Sequence, residues 1–193
     1  MAVADQLTQP RGKLVHSPRS LRLECLDEQL DESLRARVVE HEGPFDVARG
    51  IGAEQPLGFE GGFYRETSRT DHATSIYYLL APGHVGLMHR LTSDEIYHFY
   101  LGDPVTMLQL HPDGTGRTVV LGPDLPSGQQ LQCAVPKDVW HGTYLDQGGE
   151  FALLGTTMAP GFDLEDRELG NRADLARRYP EQRELIMRLT EGI

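Results

Sequence analysis

Between residues 59 and 158 the sequence breaks into short β-branched or aromatic runs. These are FYRETSR, TSIYYLLA, VGLMHRLT, EIYHFYL, VTMLQLH, RTVVLG, LQCAV and FALLGTTM, each bounded by Gly, Pro, Asp or similar turn residues. Strands so short and so evenly punctuated bury one face each and pack as a sandwich or barrel. Eight of them in about 100 residues predict a mainly β chain built as a closed double sheet. With 193 residues, 39% of them hydrophobic, the chain is long enough for one full core and too short for two ordinary domains.

The flanks read differently. Residues 1–20 mix Gln, Pro, Ser, Lys and Arg without periodicity, which predicts a flexible leader to which no chemistry is assigned. Residues 21–46 are expected to form a helical extension, because DEQLDESLRARVVEH sets Leu30, Leu34 and Val38 at i, i+4 and i+8. Pro44 opens a second short helix that Gly50 or Gly52 would end. The barrel itself is placed at 47–166. A C-terminal helix is placed at 167–193, with Pro180 near a helix start and Leu185 and Leu189 on one face.

Charge and composition remove several functions. A net charge of -11, with 29 acids against 18 bases, argues against a nucleic-acid partner, which needs clustered Lys and Arg. No apolar run approaches the ~20 residues of a membrane helix, and the opening MAVADQLTQPRGK lacks a signal-peptide core, so a cytoplasmic protein without membrane attachment is expected. Cys25 and Cys133 have no CxxC partner and read as plain thiols.

The stretch GHVGLMHRLTSDEIYHFYLG, residues 83–102, concentrates the chemistry. Side chains alternate along a strand, so if Leu87 and Leu91 point inward His89 does too, and Glu95 shares a face with Tyr97 and Phe99. The LTSD turn would set His89 and Glu95 opposite each other as a cross-strand pair. Farther on, VPKDVWHG brings Trp140 and His141 to the same barrel mouth after a Pro-led turn. His89, Glu95 and Tyr97 are the candidate catalytic residues, while Arg65, Tyr77, Phe99, Trp140 and His141 are candidates for binding substrate. Were Arg65 to face the cavity, its planar fork would clamp a carboxylate or phosphate; the alternative is a structural ion pair or an interface. His72, His84, His98 and His111 read as surface or interface histidines.

These residues resemble a family. Gly83, His89, Leu91, Glu95 and Gly102 stand at the spacing of the first cupin motif, and Pro136, Lys137, Asp138 and His141 resemble the second. The ordered series EGGFYRETSR, SIYYLLAPG, HRLTSDEIYHFYLGDP, LHPDG, VPKDVWHG and APGFDLED is similar, more narrowly, to a small cupin family long known as a domain of unknown function, over about residues 47–166. The resemblance implies a single jelly-roll barrel and a homodimer. It also implies a depleted metal site, since Leu91 stands where metal-binding cupins have a second His, Asp138 where the second motif has Gly, and Leu145 where it has Asn.

Three function classes remain. The first, preferred, is an enzyme doing non-redox acid/base chemistry on a small polar, possibly anionic, metabolite: an isomerase, epimerase, dehydratase or cyclase. It needs no cofactor, and Glu95 would work with a carboxyl pKa raised toward neutrality by the apolar barrel. The second is a metal-dependent oxygenase or lyase, in which His89, Glu95 and His141 hold a divalent ion such as Fe, Mn, Ni or Zn. The third is a pocket that binds a small ligand without reacting.

Overall fold

The computed structural model describes residues 44–52, 55–58 and 61–191. The predicted leader, nearly all of the predicted helical extension and Cys25 lie outside the described residues.

All eight predicted runs form strands. They are β2 (Phe63–Arg69), β3 (Thr74–Leu80), β4 (Val85–Leu91), β5 (Glu95–Gly102), β6 (Val105–Leu110), β7 (Gly116–Leu121), β8 (Gln132–Val135) and β10 (Ala152–Met158). Three further strands carry weaker signals: β1 (Gln55–Pro56), β9 (Trp140–Leu145) and β11 (Arg167–Leu169). The strands form a six-stranded sheet in the order β1-β2-β3-β10-β5-β8 and a five-stranded sheet in the order β11-β4-β9-β6-β7, with antiparallel pairing throughout. The two facing sheets are the mainly β architecture expected, but they do not close, which corrects the closure expected of the double sheet.

The space between the sheets holds the main apolar core, with Leu80, Leu154, Val105, Met107 and Leu121 fully buried. Period-2 alternation is clean in β5: Glu95, Tyr97 and Phe99 are buried, whereas Ile96, His98 and Tyr100 point the other way. Cys133 is a buried free thiol in this core, as its lone position in the sequence implied.

Helices cover the outer faces. α1 (Pro44–Ile51) presses Val47 and Ala48 on Leu79 and Leu153, and it ends at Gly52, whose φ of 68° suits glycine. The expected single C-terminal helix is two, α2 (Arg172–Arg178) and α3 (Arg183–Leu189), separated by Tyr179 and the single 3-10 turn Pro180–Gln182. Pro180 is the cause, because it has no N–H to continue the ladder of α2. Leu175, Tyr179, Ile186 and Leu189 from this pair cover Met88, Leu108, Leu110 and Trp140 on the outside of the five-stranded sheet. Leu189 is buried as predicted, while Leu185 is only partly covered and Ile186 fills the core position. No helix among the described residues is long and apolar enough to cross a membrane.

Candidate functional site

The site begins with an irregularity in β4. Gly86 pairs with Thr143 and His89 with His141, so three steps along β4 match two along β9. That extra residue is a β-bulge, which turns both Gly86 and His89 toward the space between the sheets and leaves Met88 in the outer layer. The expectation that Leu87 would accompany His89 inward fails here: Leu87 is half-buried, and its carbonyl accepts the His89 Nδ1–H at 2.8 Å. A side chain at Gly86 would collide with Thr143 Oγ1, so the close approach of β4 to β9 needs glycine.

Glu95 opens β5 in the other sheet, where its register partners are Val135 and Met158. His89 and Glu95 are therefore not a cross-strand pair. They meet across the gap between sheets, with His89 Nε2 4.0 Å from Glu95 Oε2. His141, the register partner of His89, reaches Glu95 Oε2 with its Nε2 at 3.0 Å. All three are buried, at 3%, 7% and 1% exposure for His89, Glu95 and His141.

Two turns hold this arrangement. Val139 N donates to Pro136 O at 3.2 Å, with Asp138 at φ 65°, the left-handed conformation that glycine adopts freely and Asp tolerates. This is how the second motif keeps its turn with Asp in the place of Gly. Asp138 N donates to Leu91 O at 2.9 Å, and Asp94 Oδ1 accepts from Lys137 N at 2.8 Å, so the segments leading into Glu95 and His141 are tied together.

The hydrogen bonds set the protons. Carbonyl oxygens only accept, so the contacts of His89 Nδ1 with Leu87 O and of His141 Nδ1 with Val139 O at 3.3 Å place a hydrogen on each Nδ1. Both Nε2 atoms then face Glu95. Burial pushes the Glu95 carboxyl pKa upward and is the largest single influence. The hydrogen bond with His141, the charges of His141 and His89 and a hydrogen bond from Thr156 together outweigh it and leave the value below normal. The expected raised carboxyl is thus corrected, since the two imidazoles oppose the apolar walls.

Beside this group lies a cavity of about 370 Å³. Its walls are mainly apolar, with Ile76, Leu91, Met158, Phe162 and Leu164, and its polar lining includes Glu95, Thr156 and Arg167, with Glu66 and Arg69 on exposed β2. A recess of about 10 Å³, room for roughly one water, adjoins it and is lined by Gly86, His89, Tyr78, Tyr97, Glu95 and Thr156. Glu95 and Thr156 belong to both spaces.

The predicted residues divide accordingly. Tyr97 lines the recess and stands edge-on to His141, with ring centroids 5.7 Å apart at 80°. Phe99 fills the intersheet core instead. Trp140 faces the helices and lies under the Arg90 guanidinium at 4.7 Å, and Tyr77 packs edge-on against Tyr100. Arg65 is exposed, and its Nη1 donates to Ile51 O at 2.7 Å, capping the end of α1. Sequence reasoning missed Thr156 and Arg167. Thr156 sits at an alternating position of β10, a signal within reach, but three residues of β11 carry no readable period.

Residues 55–170 match the family described as Cupin superfamily (DUF985), and the chain belongs to that family. It is 34% identical to protein SO0799 of Shewanella oneidensis, over 79% of this chain and 100% of that one, with a TM-score of 0.72. A hypothetical protein from Leishmania major is 28% identical, over 70% of this chain and 92% of that one, with a TM-score of 0.63. The uncharacterized protein YML079W of Saccharomyces cerevisiae is 28% identical, and the match spans 55% of this chain and 66% of the yeast protein.

Proposed function

We propose that the protein is a small-molecule enzyme doing non-redox proton-transfer chemistry, as an isomerase, epimerase, dehydratase or cyclase, on a metabolite in the 370 Å³ cavity. One observation carries this reading: the same Glu95 carboxylate lines the ligand-sized cavity and shares a hydrogen bond with fully buried His141. Because His141 keeps its Nδ1 hydrogen, the pair holds one mobile proton between Nε2 and Oε2. Glu95 can pass that proton to a ligand atom or accept one from it, while His141 balances the charge from behind. Tyr97 packs edge-on against the His141 ring, and the cavity walls beside Glu95 are mainly apolar.

The test is solvent exchange. Incubating the protein with a metabolite panel in D2O should give deuterium incorporation or turnover on at least one compound, and Glu95→Gln should lose about a hundredfold or more of that rate. Exchange by Glu95→Gln at the native rate, or none by the native protein across the panel, would sink the reading.

The two Nδ1–carbonyl bonds support a second reading. They leave both Nε2 lone pairs beside the carboxylate, and the three ligand atoms lie within 4.8 Å of one another, a donor set that fits a divalent ion. His89, Glu95 and His141 would hold it, and Leu91 would fill the remaining side with hydrocarbon. Such an ion would supply Lewis-acid polarisation of a ligand oxygen. Metal content of untagged protein, read with its chelator response, separates the readings: under the first, activity survives chelation. A homodimer belongs to the same proposal, and a monomer mass by light scattering at micromolar concentration would remove it.

A further inference from the structure

Every charged side chain that lines the cavity beside Glu95 already has a partner. The lining includes two acids and two arginines, Glu66, Glu95, Arg69 and Arg167. Arg69 donates from Nε and Nη2 to the Glu66 carboxylate, at 2.7 Å in the shortest contact. Glu95 is hydrogen-bonded with His141, and Arg167 is engaged as well. A charged ligand would have to break one of these pairings or rest its charge against hydrocarbon, and burial of a charge without a partner disfavours both.

The rest of the wall is largely hydrocarbon, from Leu57, Ile76, Leu91, Met158, Phe162 and Leu164. Backbone contacts hold the last two in place. Phe162 N donates to Thr74 Oγ1 at 2.9 Å, Phe162 O accepts from Arg69 Nη1 at 3.1 Å, and Asp163 Oδ1 accepts from Glu165 N at 3.2 Å at the start of the 3-10 turn Leu164–Asp166. On that turn Leu164 is 57% exposed although it lines the cavity, so the mouth is apolar as well as the interior. A leucine pinned in this way keeps hydrocarbon in contact with water until another hydrocarbon covers it.

Glu95 supplies the polar end. A carboxyl group offers about four lone-pair sites, and here His141 and Thr156 occupy two sides of it. What is left of its acceptor capacity suits one O–H from a ligand in the cavity.

We propose that the ligand of this cavity is an uncharged alcohol with a hydrocarbon body. Its hydroxyl donates to Glu95, its body lies on Ile76, Leu91, Met158 and Phe162, and Leu164 selects it at the mouth. This deepens the enzyme reading by naming the substrate class, and it rests on that reading only for what happens to the bound alcohol.

Calorimetric titration of the full-length protein tests it, with benzyl alcohol and cyclohexanol as probes against benzoate, benzylamine and glycerol. The two alcohols should bind at least about tenfold tighter than the anion, the ammonium or the polyol. Benzyl methyl ether, which keeps the oxygen but has no hydrogen to donate, should bind more weakly than benzyl alcohol. Leu164→Asp changes an exposed side chain, so the fold should survive, as its melting curve will show, and it should weaken benzyl alcohol about tenfold while Leu164→Met does not. Benzoate or benzylamine binding as tightly as the alcohols, the ether matching benzyl alcohol, alcohol binding untouched by Leu164→Asp, or no alcohol binding at millimolar concentration would each overturn the proposal. Alcohol binding without proton exchange in D2O would sink the enzyme reading and leave the ligand class standing. Exchange on a charged compound, with the alcohols unbound, would do the reverse.

Discussion

The two faces of the five-stranded sheet share one backbone and do different work. On the inner face His89 and His141 approach Glu95 beside a cavity; on the outer face Met88, Leu108, Leu110 and Trp140 lock onto α2 and α3. Neighbours in sequence are split between the two, Trp140 out and His141 in, Met88 out and His89 in. The outer face is thus free to be optimised for packing, which holds the strands still, while the inner face carries buried polar groups that must be satisfied one by one. Stability and chemistry should separate along this line.

The largest expected effect is on the outer face. Leu108→Ala removes a fully buried side chain between β6 and the C-terminal helices and should cost about 2–5 kcal/mol in denaturant unfolding. Ligand binding at low temperature should persist. Loss of binding in variant that is still folded would break the comparison, because it would make the helical layer part of the site.

A medium effect concerns acid. Glu95 has its native carboxyl pKa below the ordinary value of 4.5. A depressed carboxyl contributes stability that is present above the unfolded-state pKa and is lost as pH falls through the native one. Melting temperatures of native protein should therefore fall more steeply below about pH 4.5 than those of Glu95→Gln, with the two curves parallel above it. Parallel curves throughout would mean that the imidazoles do not hold the carboxylate ionised.

The smallest effect is at the surface of the same sheet. Arg90 is partly exposed, pairs with Glu168 and lies over Trp140. Arg90→Ala should cost no more than about 1 kcal/mol, since exposed pairs and exposed cation–π contacts are weak. A larger loss would show that β11 depends on this contact for its place.

How far the sequence could be read follows the same physics. His89, Glu95 and His141 were legible because ligand-type residues stood at motif spacing, and eight strands were legible because their runs are long enough to show β-branched character. β9 was read as a turn with two useful side chains, since Pro136 and Asp138 precede it and Gly142 interrupts it. The bulge in β4 is invisible to period-2 counting, which is why Leu87 was given the wrong company. Arg65 was weighed as an anion clamp against a structural role, and its contact with α1 is structural; Arg167 lines the cavity from a strand of three residues that only pairing to β4 defines. The raised Glu95 pKa was inferred from apolar walls alone, before the two imidazoles could be placed at their distances.

The position of β10 has a kinetic meaning. β3 and β5 lie next to it on either side, yet β10 arrives in the chain some fifty residues after β5 ends. Until residues 152–158 dock, β3 and β5 each keep an open edge toward the missing strand, and Glu95 lacks both its partner Met158 and the hydroxyl of Thr156. Closing such long loops is entropically costly before any contact rewards it, so this is a high-contact-order molecule that should fold in the slow, millisecond-to-second regime, roughly, of β-rich domains. Its most vulnerable moment is the interval in which two unpaired edges wait for one late strand.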